Sequence, residues 1–262
     1  FEIKYEKNNQ VLLLQITPLP QNKLNNFVLM IDDITMMIQA QRDAAWSEVA
    51  RRLAHEIKNP LTPIQLSAER IKHKLGAKLN KDDTDVLNKA VATIVNQVDA
   101  MKTMVNEFSE YARAPKLNLE LTDINKFIKE ISHLFENSGI KISTKLSRDL
   151  PETKVDVNMM RQVLINLIQN AQDAMINNTK KPIIQINTNK LKNYIVLSIE
   201  DNGPGFSADI LKKAFEPYVT TKSHGTGLGL AIVKKIIEEH EGVITIENIK
   251  NSGALINIQL PI

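Results

Sequence analysis

Residues 51–65, RRLAHEIKNPLTPIQ, place a nucleophile, a carboxylate and an amide within about two turns of a predicted helix. His55 is followed directly by Glu56, and Asn59 shares its helix face one turn later. A neutral imidazole can attack an electrophile near pH 7, and an adjacent carboxylate can accept or orient the imidazole proton. The residues alone therefore make His55 a candidate nucleophile with Glu56 as its acid–base partner, and Asn59 is a polar neighbour on the same face.

The apolar pattern around His55 predicts that its side chain faces solvent. Leu53 and Ile57 belong to the apolar stripe of the helix, and at about 100° per residue His55 points away from that stripe. Pro60 and Pro63 each remove a helical hydrogen bond, so we expect the helix to kink or loosen just beyond His55. The alternative is that one helix ends before Pro60 and another begins there. That alternative conflicts with an apolar stripe that continues past both prolines.

A second stretch, NLIQNAQDAM at residues 166–175, carries polar side chains on one face of a predicted helix. Asn166, Asn170 and Asp173 recur at helical spacing, beside a separate apolar stripe. Because asparagine has a poor helix propensity, its repetition in mid-helix favours a binding site. A solvated polar face is the alternative, and it is the simpler explanation for any single asparagine.

Two turns that contain glycine follow along the chain. In DNGPGF, residues 201–206, Asp201 ends a predicted strand, and Gly203 and Gly205 allow a ligand to approach the backbone closely. The Asp201 carboxylate can accept a hydrogen bond from the exocyclic amine of adenine, although an ordinary Asn-Gly turn is the alternative. In GTGLGLAIV, residues 225–233, glycines open directly into a helix whose free N–H groups and positive dipole end suit phosphates. This stretch matches neither the Walker pattern nor the dinucleotide fingerprint.

The remaining sequence supplies the elements that position these motifs. Strand patterns near the start are followed by two long amphipathic helices, and then by a mixed pattern of three helices and five strands. We expect an α+β multidomain protein, in which an antiparallel helical hairpin (a dimeric four-helix bundle) precedes an α/β sandwich. The predicted domains are partial sensory strands at 1–36, a signalling helix and hairpin at 37–114, a linker at 115–122 and the α/β domain at 123–262.

Each helix of the predicted hairpin carries an apolar stripe that is too wide for one partner helix to cover. In the second helix the apolar residues alternate steps of four and three from Leu87 to Ala112, which is a heptad pattern. Pairing two hairpins would cover both stripes, and this predicts a homodimer. Packing of the helices against the other domain of the same chain is the alternative.

The composition of the chain excludes several classes of function. A net charge of only +3, without a basic stripe, argues against nucleic-acid binding. With no cysteine, the chain has no disulfide, no thiolate chemistry and no cysteine-ligated zinc. No apolar run reaches the roughly 18 residues of a membrane span, so we expect a soluble piece of a longer protein with any anchor upstream. His73, His224 and His240 have no catalytic context and are expected to be ordinary surface residues.

Together and in this order, the motifs between Asn166 and Val233 resemble the ATP-binding domain shared by histidine kinases, gyrase, the heat-shock ATPase chaperones and MutL. The intervening FEPYVTTKSHGT is similar to the F-box and nucleotide lid of histidine kinases. The resemblance implies ATP and Mg²⁺ as cofactors, with Mg²⁺ on Asn170 and adenine on Asp201. Lys222 becomes a candidate γ-phosphate contact, with a solvated lysine as the alternative. The other nucleotide-site residues that the resemblance implies are Asn166, Asp173, Gly203, Gly205, Gly225, Thr226, Gly227, Leu228 and Gly229.

The string LAHEIKNPLTPI resembles the phospho-acceptor box of dimeric sensor histidine kinases. Its residue sequence is similar in particular to nitrogen-regulation sensors of the NtrY type. The resemblance implies ATP-dependent autophosphorylation on His55, followed by transfer to an aspartate of an NtrX-like response-regulator receiver domain. Glu56 and Asn59 occupy positions that in this family also support dephosphorylation of the regulator. The short DDIT at residues 32–35 is similar to the end of a PAS domain. A place on the cytoplasmic side, with the full-length protein anchored in the bacterial inner membrane by an upstream segment, is implied as well.

Two other functions remain open at this point. One is a related ATPase whose nucleotide state drives a conformational change, but such proteins lack a phospho-acceptor hairpin. The other is a non-enzymatic coiled-coil dimerisation module with an inactive pocket. The presence of Asn170, Asp201 and the three glycines of residues 225–229 argues against an inactive pocket.

Overall fold

A computed structural model describes residues 2–7, 10–18, 27–112, 117–136, 138–176, 181–222, 225–249 and 253–262. The chain divides into two compact units, Phe1–Ala114 and Pro115–Ile262. The predicted lid residue His224 lies outside the described residues. Within the described part of the chain, no helix has both the length and the apolar character needed to cross a membrane.

The first unit begins with a three-stranded antiparallel sheet in the order β1-β2-β3. The two strands that the sequence predicts are present as β2 (Gln10–Pro18) and β3 (Phe27–Asp33), and β1 (Glu2–Lys7) is an additional strand. The sheet leads directly into the first helix through two hydrogen bonds. The Val11 N–H donates to Thr35 Oγ1 at 2.8 Å, and the Ile34 N–H donates to the Val11 carbonyl at 2.9 Å.

The predicted helical hairpin is confirmed, and it consists of α1 (Thr35–Leu75) and α2 (Lys81–Ala112). Helix α1 runs without interruption through Pro60 and Pro63, so the alternative of two separate helices is wrong. The two helices pack against each other through small and medium apolar side chains that are buried in both. These are Ala50, Ala54, Leu61 and Ala68 in α1, and Val91, Val98, Val105 and Ala112 in α2.

The hairpin buries only half of its heptad pattern. The buried residues of α2 recur at every seventh position, whereas Ile94 and Met101, which lie between them, are exposed. In α1 the exposed set includes Leu53 and Ile57. Since exposed leucine and isoleucine at regular helical spacing form a continuous apolar surface, this face is suited to a partner helix.

The second unit is built on a mixed five-stranded sheet in the order β5-β7-β8-β10-β9. The pair β5–β7 is parallel, and the other three pairs are antiparallel. The five predicted strands and three predicted helices are all present, which confirms the predicted fold class. The elements are β4 (Glu120–Thr122), α3 (Ile124–His133), β5 (Lys141–Leu146), β6 (Thr153–Val155), α4 (Val157–Met175), β7 (Ile183–Leu191), β8 (Tyr194–Asp201), α5 (Ala208–Lys213), α6 (Gly229–Glu239), β9 (Val243–Asn248) and β10 (Ala254–Pro261).

Three short elements of the second unit were not predicted. Strand β4 lies in the segment predicted as a linker, and it pairs with β6 inside the second unit. Helix α5 begins at a Ser207 cap, whose hydroxyl accepts a hydrogen bond from the Ile210 N–H. These elements are only three to six residues long, which is too short to establish a period in the sequence.

Helix α4 is fixed at its start and buried along one side. The Asp156 side chain caps the helix by accepting hydrogen bonds from the N–H groups of Asn158 and Met159. Apolar residues from Met160 to Met175 then recur at helical spacing and are buried in the core of the second unit. The opposite side of α4 therefore remains available for polar chemistry.

Candidate functional site

The phospho-acceptor candidate lies on an exposed face of α1. His55, Glu56 and Asn59 are all exposed, whereas Ala54 is buried against α2. This agrees with the predicted direction of the His55 side chain. Sequence reasoning missed Arg52, whose Nε donates to Glu56 Oε1 at 3.0 Å one turn before the carboxylate. Because both side chains are largely exposed, this pair orients the carboxylate more than it stabilises the helix.

The polar face of α4 meets a lysine from a distant part of the second unit. Lys222 Nζ donates to Asn170 Oδ1 at 2.9 Å and to Asp173 Oδ2 at 2.7 Å. A Cβ at Gly229, the first residue of α6, would lie 3.7 Å from Asn170 Nδ2. Asn166 lies one turn earlier on α4 and is half-buried. The structure thus brings Asn170, Asp173, Lys222 and Gly229 together.

The position of the Lys222 ammonium group shows that the polar face of α4 accommodates a positive charge. It lies between an amide oxygen and a carboxylate oxygen, and Mg²⁺ accepts both kinds of protein oxygen. Within the described residues, no group of three or more histidine, aspartate or glutamate side chains converges anywhere. A divalent cation at Asn170 would therefore need further oxygens from water or phosphates, which is typical of Mg²⁺ held together with a nucleotide. The residues present fit such an ion.

Asp201 ends β8 and orients its carboxylate with the backbone around it. The Gly203 N–H donates to Oδ1 at 2.8 Å, and the Ala254 N–H donates to the same oxygen at 3.3 Å. Burial raises the pKa of Asp201 above its ordinary value, although these two N–H groups act in the opposite direction. Since both bonds engage Oδ1, Oδ2 is the oxygen that can accept a hydrogen bond from a ligand amine.

The segment before α6 folds back on itself through a glycine at which any side chain would be crowded. Gly227 has φ +70°, and a Cβ there would lie 2.5 Å from the Tyr218 carbonyl carbon. Tyr218 itself has φ +66°, and its N–H donates to the Gly227 carbonyl at 3.0 Å. A tyrosine in the left-handed region is uncommon, and such strain is concentrated at functional sites. Sequence reasoning did not identify Tyr218.

The first turn of α6 leaves backbone donors for a ligand. Leu228 is the N-cap residue, and among the described residues no side chain caps this end of the helix. The Leu228 N–H itself is bonded to Thr226 Oγ1 at 3.3 Å. Uncapped N–H groups and the positive end of the helix dipole favour an anion such as a phosphate. Gly225 lies on the other side of this turn, beside the Lys222 side chain.

His240 corrects one prediction. Expected at the surface, it is 5% exposed and lies where α6 ends. Its Nε2 accepts a hydrogen bond from the Asp156 N–H at 2.9 Å, and Nδ1 lies 2.7 Å from the Ile236 carbonyl. These partners require a neutral imidazole that carries its proton on Nδ1. His240 therefore links the end of α6 to the start of α4, which are the two helices of the site.

The fold and the site geometry define a class of ATP-binding domain. Residues 155–262 match the family model described as the histidine kinase-, DNA gyrase B- and HSP90-like ATPase. Residues 45–116 match the model of the His Kinase A (phospho-acceptor) domain. The first match contains α4, the Asp201 loop and α6, and the second contains His55.

A curated relative carries the same combination. The chain is 39% identical over 244 residues to nitrogen regulation protein NtrY of Azorhizobium caulinodans, covering 90% of this chain and 31% of that protein. The chain therefore spans about a third of the length of this relative. The chain belongs to the sensor histidine kinases of two-component systems.

Solved structures agree with this assignment. Full-length ShkA in complex with AMPPNP has a TM-score of 0.65 at 25% identity, covering 82% of this chain and 45% of that one. Histidine kinase ThkA in complex with response regulator protein TrrA has a TM-score of 0.60 at 28% identity, covering 100% of this chain and 78% of that one. The catalytic domain of ThkA alone is 32% identical with a TM-score of 0.50, covering 55% of this chain and 97% of that one.

Proposed function

We propose that the chain is an ATP-dependent protein-histidine kinase that phosphorylates itself on His55 and passes the phosphoryl group to an aspartate of a response regulator. The observation that carries the proposal is an exposed His55 beside an oriented carboxylate, in a chain that also contains an ATP-binding domain of the histidine-kinase class. The complexes of ShkA with AMPPNP and of ThkA with TrrA support a nucleotide and a receiver domain as partners.

In the proposed nucleotide site, β8, α4 and the start of α6 bind different parts of ATP. Asp201 Oδ2 accepts a hydrogen bond from the adenine amine, since Oδ1 is already engaged by backbone donors. The start of α6 binds the phosphates through its uncapped N–H groups. Asn170 would hold Mg²⁺ with Asp173 close by, and the ion would supply positive charge against the phosphoryl group that is transferred. Lys222 then leaves these oxygens and contacts the γ-phosphate.

Chemistry at the phospho-acceptor starts from an unprotonated ring nitrogen of the exposed His55 side chain. That nitrogen attacks the γ-phosphorus in line, the bond between the γ-phosphorus and the bridging oxygen breaks so that ADP leaves, and Glu56 accepts or orients the proton on the other ring nitrogen. Arg52 restrains the Glu56 carboxylate through the bond between its Nε and Oε1. Asn59, one turn beyond His55, is placed to orient a water molecule for hydrolysis of the phosphorylated regulator. The proposed activities therefore include dephosphorylation of that regulator.

The proposed assembly is a homodimer formed through the hairpin. The exposed half of the heptad pattern, including Ile94 and Met101, supports pairing with a second hairpin in a four-helix bundle. An NtrX-like receiver is the proposed regulator, by similarity to NtrY. The strands β1–β3 are proposed to end a PAS-like sensory domain, and the DDIT motif at residues 32–35 supports this. The location proposed for the kinase is the cytoplasmic side of the inner membrane, by similarity to the nitrogen regulation protein NtrY.

The proposal is tested by incubating the chain with Mg²⁺ and γ-labelled ATP. His55→Gln is compared with the matched control His73→Gln, which changes an exposed histidine on the same helix. We expect an acid-labile, base-stable label on the wild type and on the control, and none on His55→Gln. A label that persists on His55→Gln refutes the acceptor assignment. Absence of label on a wild type that binds ATP instead favours a nucleotide-gated phosphatase or scaffold.

A further inference from the structure

The glycine loop at residues 201–206 is held by an asparagine that lies far from it in sequence. Asn248, the last residue of β9, donates from Nδ2 to the Phe206 carbonyl at 2.6 Å. The Phe206 N–H donates in return to Asn248 Oδ1 at 2.8 Å. One side-chain amide therefore satisfies both backbone groups of Phe206, as a neighbouring strand would.

The same end of the β9–β10 hairpin packs against the glycine loop at residues 201–206. Gly205 has φ +72°, and a Cβ there would lie 2.8 Å from Asn248 Oδ1 and 3.0 Å from the Gly253 carbonyl oxygen. A Cβ at Gly253 would collide with the Asp201 carbonyl. The next residue, Ala254, donates its N–H to Asp201 Oδ1. The position of the Asp201 carboxylate is thus coupled to the end of the hairpin that Asn248 terminates.

The other end of the loop is fixed in the same way. Asn202 Oδ1 accepts a hydrogen bond from the Ile183 N–H at 2.9 Å, and its Nδ2 donates to the Lys181 carbonyl at 2.9 Å. The glycines therefore lie between two bidentate amide contacts. Glycine loops are flexible by themselves, and a loop that is ordered before binding costs less entropy when the ligand binds.

We infer that Asn248 is a positioning residue for purine recognition, because it holds the glycine loop so that Asp201 Oδ2 faces the exocyclic amine of adenine. The inference rests on the proposed binding of ATP and concerns the base end of that site. Asn248 is itself exposed, so its side chain contributes little to core packing. Its loss should loosen the loop without unfolding the domain.

The test measures binding of AMPPNP and of its guanine counterpart by titration calorimetry with Mg²⁺, together with the thermal midpoint of the ligand-free chain. Asn248→Ala removes both contacts with Phe206. Asn248→Asp keeps the acceptor but turns a carboxylate oxygen toward the Phe206 carbonyl. The matched control is Asn257→Ala, which removes an asparagine from the neighbouring strand, where its Oδ1 accepts from Ser198 Oγ at 2.7 Å.

For Asn248→Ala we expect AMPPNP binding to weaken by roughly fivefold to tenfold, the scale set by one or two net hydrogen bonds. Discrimination between adenine and guanine should fall, because a misplaced carboxylate no longer selects a donor at that position of the base. Asn248→Asp should behave like the alanine variant, and the thermal midpoint should stay close to that of the wild type. Asn257→Ala should bind both nucleotides as the wild type does.

Unchanged affinity and unchanged base preference in both Asn248 variants would overturn the inference. An equal loss in Asn257→Ala, accompanied by lower thermal midpoints, would also overturn it, since the effect would then be one of general stability. If Asn248→Ala does not fold, the isosteric aspartate variant decides between these outcomes. A wild-type chain that binds no adenine nucleotide would instead refute the proposed function on which the inference rests.

Discussion

Replacing Asp201 with asparagine should weaken ATP binding and strengthen binding of a purine whose ring carries a carbonyl. Asp201 Oδ1 accepts from two backbone N–H groups, those of Gly203 and Ala254. In the variant, the amide oxygen must take this position, because the amide nitrogen would face two donors. Nδ2 then points toward the ligand, where the carboxylate offered an acceptor. The adenine amine, itself a donor, would face the Nδ2 donor and form no hydrogen bond. The ring carbonyl of inosine or guanine would instead accept a hydrogen bond from Nδ2.

The magnitude follows from the kind of hydrogen bond that is lost. A bond to a charged group contributes about 1.5–3 kcal/mol, so losing it weakens binding roughly 10-fold to 150-fold. We expect AMPPNP affinity to fall within that range. Affinity for an inosine triphosphate analogue should rise by several-fold, because Nδ2 supplies a neutral hydrogen bond of about 1 kcal/mol.

The same substitution should not destabilise the ligand-free chain. Burial raises the pKa of Asp201, so the folded state holds this proton more tightly than the unfolded state does. The ionised carboxylate therefore opposes folding at neutral pH, and this cost diminishes as the pH falls through the raised pKa. Asparagine carries no charge and avoids the cost. We expect the variant to have an equal or higher thermal midpoint at pH 7, with the difference disappearing under acidic conditions.

Calorimetric titration with both nucleotides and thermal denaturation at pH 7 and pH 4 would check these expectations. Glu200→Gln, which changes the preceding carboxylate on β8, is the matched control and should retain the wild-type preference for adenine. The reasoning is refuted if Asp201→Asn binds AMPPNP within about threefold of the wild type, well below the loss expected for a charged bond. A lower midpoint at pH 7 would show that the carboxylate stabilises the fold, contrary to the direction of its pKa.

Three further predictions concern other parts of the chain. In Lys222→Met, an exposed ammonium no longer competes for the side-chain oxygens of α4. We therefore expect the Mg²⁺ concentration that half-saturates ADP binding to fall by roughly twofold to fivefold. An unchanged Mg²⁺ dependence of ADP binding would contradict this. Asp156→Ala should remove roughly 2–4 kcal/mol of stability, measured by hydrogen exchange of the α4 amides. Burial acts to raise the pKa of Asp156, but backbone N–H groups hold that pKa below its ordinary value. The contribution of the carboxylate to stability therefore persists at neutral pH and is lost as the pH falls through the lowered pKa. A destabilisation by Asp156→Ala that does not depend on pH would contradict this. Ile94→Glu should convert the dimer to a monomer in analytical ultracentrifugation, whereas the control Asn96→Glu, an exposed position on the opposite side of α2, should not. A dimer in both variants would show that this face is not the interface.

The elements with a long period could be read from the sequence, because periodicity is a local property of the chain. The heptad pattern of α2 and the apolar stripe of α1 predicted a hairpin with nearly the observed bounds. The same stripe placed His55 on the exposed face without any tertiary information. On α4, helical spacing alone put Asn170 and Asp173 on one polar side. Each of these inferences needs only the geometry of a single helix.

The sequence could not predict the contacts that join distant segments of the chain. Lys222 reaches α4 from about 50 residues away, Asn248 closes on Phe206 across 42 residues, and His240 meets Asp156 across 84. No period or propensity encodes such pairs, because each depends on which sheet edges and helix ends the fold brings together. The sequence thus determined which residue types carry the chemistry and which faces they occupy. Only the tertiary structure decided which backbone groups hold Asp201 in place and which cation lies against Asn170.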